Sequence, residues 1–101
     1  MAIRLYHRWK CPWCAAARQG AENVEMPLEL VEVPRPRLER TELMAVSGQD
    51  RVPVLVDGDT VVVGSRRIVR HLYATYGGDD LRPSAGDLDE EIAALEAAGL
   101  E

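Results

Sequence analysis

Two hydrophobic periods alternate along this chain. "AIRLYH" (2–7) is rich in strand formers, and "LELVEV" (28–33) switches between apolar and acidic residues at every second position, the period of a half-buried strand. Between them, "CAAARQGAEN" (14–23) is helix-prone, with Pro12 suited to the first helical turn, where its missing N–H costs nothing. "PRP" (34–36) punctuates the second strand, and "LERTELMAVSG" (38–48) predicts a helix ended by Gly48. "PVLVDGDTVVVG" (53–64) predicts a hairpin, two Val-rich runs around Asp57-Gly58. "SRRIVRHLYATYGG" (65–78) predicts a helix with Ser65 as N-cap and an apolar face of Ile68, Val69, Leu72, Tyr73 and Tyr76, stopped by Gly77-Gly78. The order β-α-β-α-β-β-α implies an α/β fold. Its opening βαβ unit requires parallel strands, and the hairpin adds an antiparallel edge. A four-stranded mixed sheet with helices on both faces follows.

Beyond Gly78 the character changes. Residues 79–87 read as a linker or turn, and 87–101 as a short acidic helix with Leu88, Ile92 and Leu95 on one face, packed on the body. Residues 1–78 are thus expected to form the main domain, and 79–101 a linker and terminal helix on that domain. Charge sharpens the division. The net charge is −5, yet residues 79–101 carry eight acids against Arg82 alone. The body is slightly basic but has no basic stripe, which argues against nucleic acid as a partner. No apolar run approaches the ~20 residues of a membrane-spanning helix, and the amino terminus lacks the long apolar stretch of a secretory signal. A soluble, cytoplasmic, monomeric protein is expected.

"RWKCPWC" (8–14) holds the only two cysteines. In a reducing compartment a C-x-x-C pair points to redox or metal chemistry rather than a structural staple. Cys11 falls where the first strand gives way to the helix, at its N-cap. Free N–H groups and the positive end of the helix dipole there favour a thiolate, and Lys10, with Arg8 near, adds positive charge. Cys14 lies one turn further on, inside the helix. The spacing assigns attack to Cys11 and resolution to Cys14. Zinc would need four ligands, and only His7 and His71 are available to complete the set, so no metal is expected.

"CPWC" after an opening strand, "GQDRVP" (48–53) before the third strand and "VGSRRIVRHL" (63–72) opening the last helix resemble glutaredoxins and the thioredoxin-like amino-terminal domain of glutathione S-transferases. The resemblance covers residues 2 to about 78 and implies a thioredoxin-like fold. It implies that Pro53 is cis, turning the Arg51-Val52 backbone toward Cys11 to pair with an extended substrate. It also implies that Gln49 and Lys10, with Arg51 as a second cation, hold the glycine carboxylate of glutathione beside Trp13, and that Gly64-Ser65 meets the γ-glutamyl carboxylate at a helix start. Two features depart from the family. Arg66 and Arg67 stand where acids often meet the ligand's ammonium group, and Gly64 stands where transferases have Glu or Gln before the Ser.

The function these features imply is a thiol-disulfide oxidoreductase acting on mixed or protein disulfides. Glutathione or another low-molecular-weight thiol would be co-substrate, with no bound cofactor. A transferase-like binding module, an NrdH-type redoxin reduced by a thioredoxin reductase, and a carrier of an iron–sulfur cluster between subunits are the alternatives.

Overall fold

The computed structural model describes residues 3–99. The first residue of the expected opening strand and the end of the expected terminal helix therefore lie outside the described residues. Strand β1 (Ile3–His7) leads into helix α1 (Pro12–Asn23), then β2 (Leu28–Glu32), a 3-10 turn (Arg37–Glu39) and α2 (Thr41–Ser47). The hairpin β3 (Val54–Asp57) and β4 (Thr60–Val63) follows, then α3 (Ser65–Tyr76) and α4 (Gly78–Ala97).

The sheet order is β2-β1-β3-β4. β1 runs parallel to β2 with Leu5 opposite Leu30, and antiparallel to β3 with Leu5 opposite Leu55. The two-residue period of a strand sends its side chains to two cores. Ile3, Leu5 and Leu55 meet Ala17 and Ala21 of α1 and Ile68 and Leu72 of α3 on one face. Tyr6 and Val54 meet Leu43 of α2 and Val33 on the other. Gly20 lets α1 approach α3 closely, because a Cβ there would stand 2.9 Å from Cγ2 of Val69.

Three expectations need correction. The helix expected over 38–48 is broken, because Arg40 is drawn inward between the 3-10 turn and α2. Its guanidinium donates to the carbonyls of Pro34 (2.7 Å), Asp50 (2.8 Å) and Arg35 (3.1 Å). Ser65 is not the cap of α3. Gly64 takes that position at φ 101°, a conformation costly for any other residue, and Ser65 is the first helical residue with its hydroxyl buried and unpartnered. Residues 79–87 are not a linker. They form the opening turns of α4, even though Pro83 cannot donate to the carbonyl of Asp79. Packing along α3 offsets that lost bond. Ala85 and Ile92 are buried, and Arg66–Glu91 (2.9 Å), Arg70–Asp89 (2.6 Å) and Arg67–Glu96 pair across the seam. No described helix is long and apolar enough to cross a membrane.

Candidate active site

The parallel strands β1 and β2 and the start of β3 all open toward one end of the sheet, where loops converge on a cleft of about 590 Å³. Ligands of α/β sheets gather at the carboxyl ends of parallel strands. Cys11 lines this cleft as the N-cap of α1, in extended conformation, with Pro12 as the first helical residue. Its sulfur accepts the Cys14 N–H at 3.4 Å, as a capping side chain does. Trp13 forms one wall and remains half exposed.

Cys14 differs sharply from Cys11, although one turn separates them. It is fully buried, and its thiol is pushed up to about 12. Burial is the main cause, and the neighbouring Cys11 adds to it. Both are free thiols.

Opposite Cys11 the Val52–Pro53 peptide bond is cis, and both residues line the cleft with Arg51. The Pro53 carbonyl accepts the Gly64 N–H at 3.1 Å, which ties this loop to the beginning of α3. Gly64 lines the cleft, and Ser65 lies fully buried beside it. The structure thus brings Cys11, Trp13, Arg51, Val52, Pro53 and Gly64 around one space. Lys10 and Gln49 are not in its walls. Lys10 is exposed. Gln49 braces the loop before Pro53: its amide nitrogen donates to Ser47 Oγ and the Arg51 carbonyl, both at 2.9 Å, and its Oε1 accepts the Arg51 N–H at 2.7 Å.

Arg8, from the end of β1, and Arg67, from α3, which the sequence had placed near the cysteine and the ligand, also line the cleft. Three wall residues escaped sequence reasoning: Arg37 and Arg40 from the "PRPRLER" segment and Leu95 from α4. One signal was available for the first two. Prolines 34 and 36 hold an arginine-rich stretch in a loop at the carboxyl end of β2, beside the cysteines. Leu95 had no such signal, because its place depends on α4 packing along α3.

Both histidines are committed elsewhere. His7 is buried at the end of β1, and its Nδ1 faces the Arg18 guanidinium at 2.9 Å. Burial, and secondarily the Arg18 charge, hold its pKa below the usual histidine value. Trp9 stands edge-on to His7, with Arg18 over its ring at 4.7 Å. At the opposite end of the sheet, His71 Nε2 lies 2.9 Å from Asp57, which also accepts the Tyr76 hydroxyl at 2.6 Å. Burial opposes ionisation of Asp57, but Tyr76 and His71 outweigh it and hold its carboxyl below the usual range. Among the described residues no cluster of His, Cys, Asp and Glu has the makings of a metal site.

Known proteins share this fold. A glutaredoxin-like 8.6 kDa protein encoded in a rubredoxin operon of Clostridium pasteurianum is 31% identical over 61 residues, which are 59% of this chain and 81% of that protein. Glutathione transferases of Bombyx mori (28% identity, TM-score 0.73) and Anopheles dirus species B (32% identity, TM-score 0.70) superpose on 79% and 76% of this chain. The chain spans only 38% and 37% of their lengths. The glutaredoxin-like relative and the shared fold support a redox protein of thioredoxin fold. The model of the glutathione S-transferase N-terminal domain matches residues 5–80, and the chain belongs to that family.

Proposed function

We propose that the chain is a thiol-disulfide oxidoreductase of glutaredoxin type. One observation carries the reading: Cys11 caps α1 at the mouth of a cleft, facing the Val52–Pro53 loop, while Cys14 lies buried one turn behind it. The Cys11 thiolate attacks one sulfur of a disulfide substrate. A Cys11 mixed disulfide forms, and the other sulfur leaves as a thiolate that takes a proton from water. Two routes complete the reaction. A second small thiol, such as glutathione, attacks the mixed disulfide and leaves with the captured group, restoring Cys11. Alternatively Cys14 loses its proton and attacks Cys11, giving the Cys11–Cys14 disulfide and releasing the captured thiol, so that two electrons have passed to the substrate. A dithiol reductant of the thioredoxin-reductase type, or glutathione, then returns the electrons. No resident cofactor or metal takes part. A reducing cytoplasm suits this cycle.

The test supplies the oxidised protein with glutathione in one assay and with thioredoxin reductase and NADPH in another. Reduction by either supports the reading, and the faster donor separates a glutaredoxin from an NrdH-type redoxin. A folded protein that neither system reduces, and that reduces no disulfide, would sink it.

A second reading has an observation of its own. The match to the transferase N-terminal domain, over residues 5–80, includes the start of α3, where Gly64 lines the cleft beside the unpartnered Ser65 hydroxyl. A binding module that holds glutathione without redox turnover would use the same cleft. Binding that persists in the Cys11→Ser protein, with no disulfide reduction by the unaltered chain, is its signature.

A further inference from the structure

The electrostatics of the cleft narrow the class of thiol it accepts. Five arginines line it, Arg8, Arg37, Arg40, Arg51 and Arg67, and no Asp or Glu among the described residues does. In a chain of net charge −5 such a concentration is not an average property of the surface. Of these five, Arg67 alone has a carboxylate partner among the described residues, Glu96. Arg8 is satisfied by the Val33 carbonyl at 2.8 Å. Arg37 and Arg51 make no side-chain hydrogen bond or ion pair among the described residues.

Arg40 is the buried member. It is only 7% exposed and lines the cleft, yet its three bonds all go to backbone carbonyls. A buried cation normally has a counter-charge, because partial dipoles compensate lost hydration incompletely. Arg40 also borders a smaller pocket with Glu32, Glu39 and Glu42, so the charge left open to the cleft rests chiefly with Arg37 and Arg51.

The size of the space suits a small molecule. About 590 Å³ lies within the range of small-ligand sites. On one side α4 closes the cleft with Leu95, while Trp13 and Val63 supply further apolar wall.

We infer that the cleft selects small disulfides and thiols that carry several anionic groups, carboxylate or phosphate, and no ammonium group. This rests on the oxidoreductase reading above. Glutathione meets half of the requirement, since its two carboxylates suit the arginines and its ammonium group does not. The reaction is unchanged: Cys11 takes one half of the disulfide, the other leaves as thiolate, and Cys14 closes the protein disulfide with release of the second half.

The experiment measures the second-order rate at which the reduced protein is oxidised by three disulfides. They are glutathione disulfide, its N,N′-diacetyl derivative, which lacks the ammonium groups, and coenzyme A disulfide, which carries phosphates. The diacetyl compound is expected to react about tenfold faster than glutathione disulfide near 0.01 M ionic strength. The advantage should shrink toward unity near 1 M, where the Debye length falls from about 30 to about 3 Å. A still faster coenzyme A disulfide identifies phosphate as the preferred anion, and a slower one identifies carboxylate. Arg37→Gln and Arg51→Gln should each reduce the preference, whereas Arg66→Gln, outside the cleft, should leave it intact.

Equal rates for the first two disulfides, or a preference that salt and the cleft variants leave unchanged, would overturn the inference and leave the oxidoreductase reading standing. An equal effect of Arg66→Gln would overturn it as well, by showing a response to overall charge. Binding separates the two claims. The Cys11→Ser protein, titrated by tryptophan fluorescence with S-methylglutathione and with its N-acetyl form, should prefer the latter even if no disulfide is ever reduced. Equal affinities there would count against the inference independently of any redox result.

Discussion

Arginines occupy two regions of this molecule under opposite conditions. Along the seam between α3 and α4, Arg66, Arg67 and Arg70 each face a carboxylate of α4, on a surface open to water. Around the cleft, Arg8, Arg37, Arg40 and Arg51 form no ion pair among the described residues. Exposed pairs of the first kind are worth little individually, because water and salt screen them and long side chains lose freedom in forming them. They choose where α4 lies more than they hold it there. The second kind is a collection of like charges kept together at a cost, with Arg40 buried. The three carbonyls that Arg40 ties together account for Arg40, whereas Arg37 and Arg51, unpaired among the described residues, suit the ligand proposed above.

The largest effect expected belongs to the cleft. Cys11→Ser should lose activity toward every disulfide. Cys14→Ser should retain some activity on glutathionylated substrates, for which a solution thiol completes the cycle, and lose most activity on protein disulfides. Steady-state assays of both variants on both substrates read this directly. Equal losses in the two variants would show that burial of Cys14 does not divide the roles.

The next contrast is one of stability. Arg40→Gln removes a side chain that ties three carbonyls together and should destabilise the fold by about 2–4 kcal/mol. Arg66→Gln breaks an exposed pair and should cost less than about 1 kcal/mol, an amount that disappears in high salt. Urea titrations at two salt concentrations compare them, and similar losses would erase the distinction between the regions.

Arg67 belongs to both regions, since it lines the cleft and pairs with Glu96. Glu96→Gln should release its charge into the cleft and raise the rate of oxidation by anionic disulfides by about threefold at low salt. An unchanged rate would confine Arg67 to the seam.

The smallest effect concerns His7. Its folded pKa lies below the ~6.5 of an unfolded chain, because burial and then Arg18 disfavour the charged ring. The unfolded state therefore binds the proton more readily. This contribution to stability is complete above about pH 6.5 and is lost as pH falls through the folded value. Denaturation between pH 7 and 5 should show the decline, and His7→Gln should flatten that part of the profile.

What the sequence made legible was local. Strand periods, Pro12 at a helix start and a cysteine one residue before it are short-range signals, and they located the four strands and the cysteine that caps α1. What it hid depends on distant packing. Asp79, Asp80, Pro83 and Gly86 have the composition of a turn, yet α3 supplies a surface that makes them helical. Ser65 is a good capping residue, but Gly64 can adopt φ 101° and Ser65 cannot do so cheaply, so the cap moved back by one. The arginine wall is assembled from the end of β1, the loop after β2, the loop before β3 and α3. No window of sequence contains it: Arg51 and Arg67 stood out in advance beside a ligand and Arg8 beside Cys11, but nothing joined them to Arg37 and Arg40.

The burial of Cys14 also has a consequence in time. Burial, the main cause that raises the Cys14 thiol, persists when Cys11 is held in a mixed disulfide, although the contribution of a free Cys11 does not, and a protonated thiol is a poor nucleophile. On the proposed chemistry, the group captured by Cys11 would then outlast the encounter that delivered it. Small thiols in solution would have repeated chances to intercept it before the internal ring closes. The chain would act as a short-lived store of one captured thiol, emptied faster as the medium becomes more alkaline.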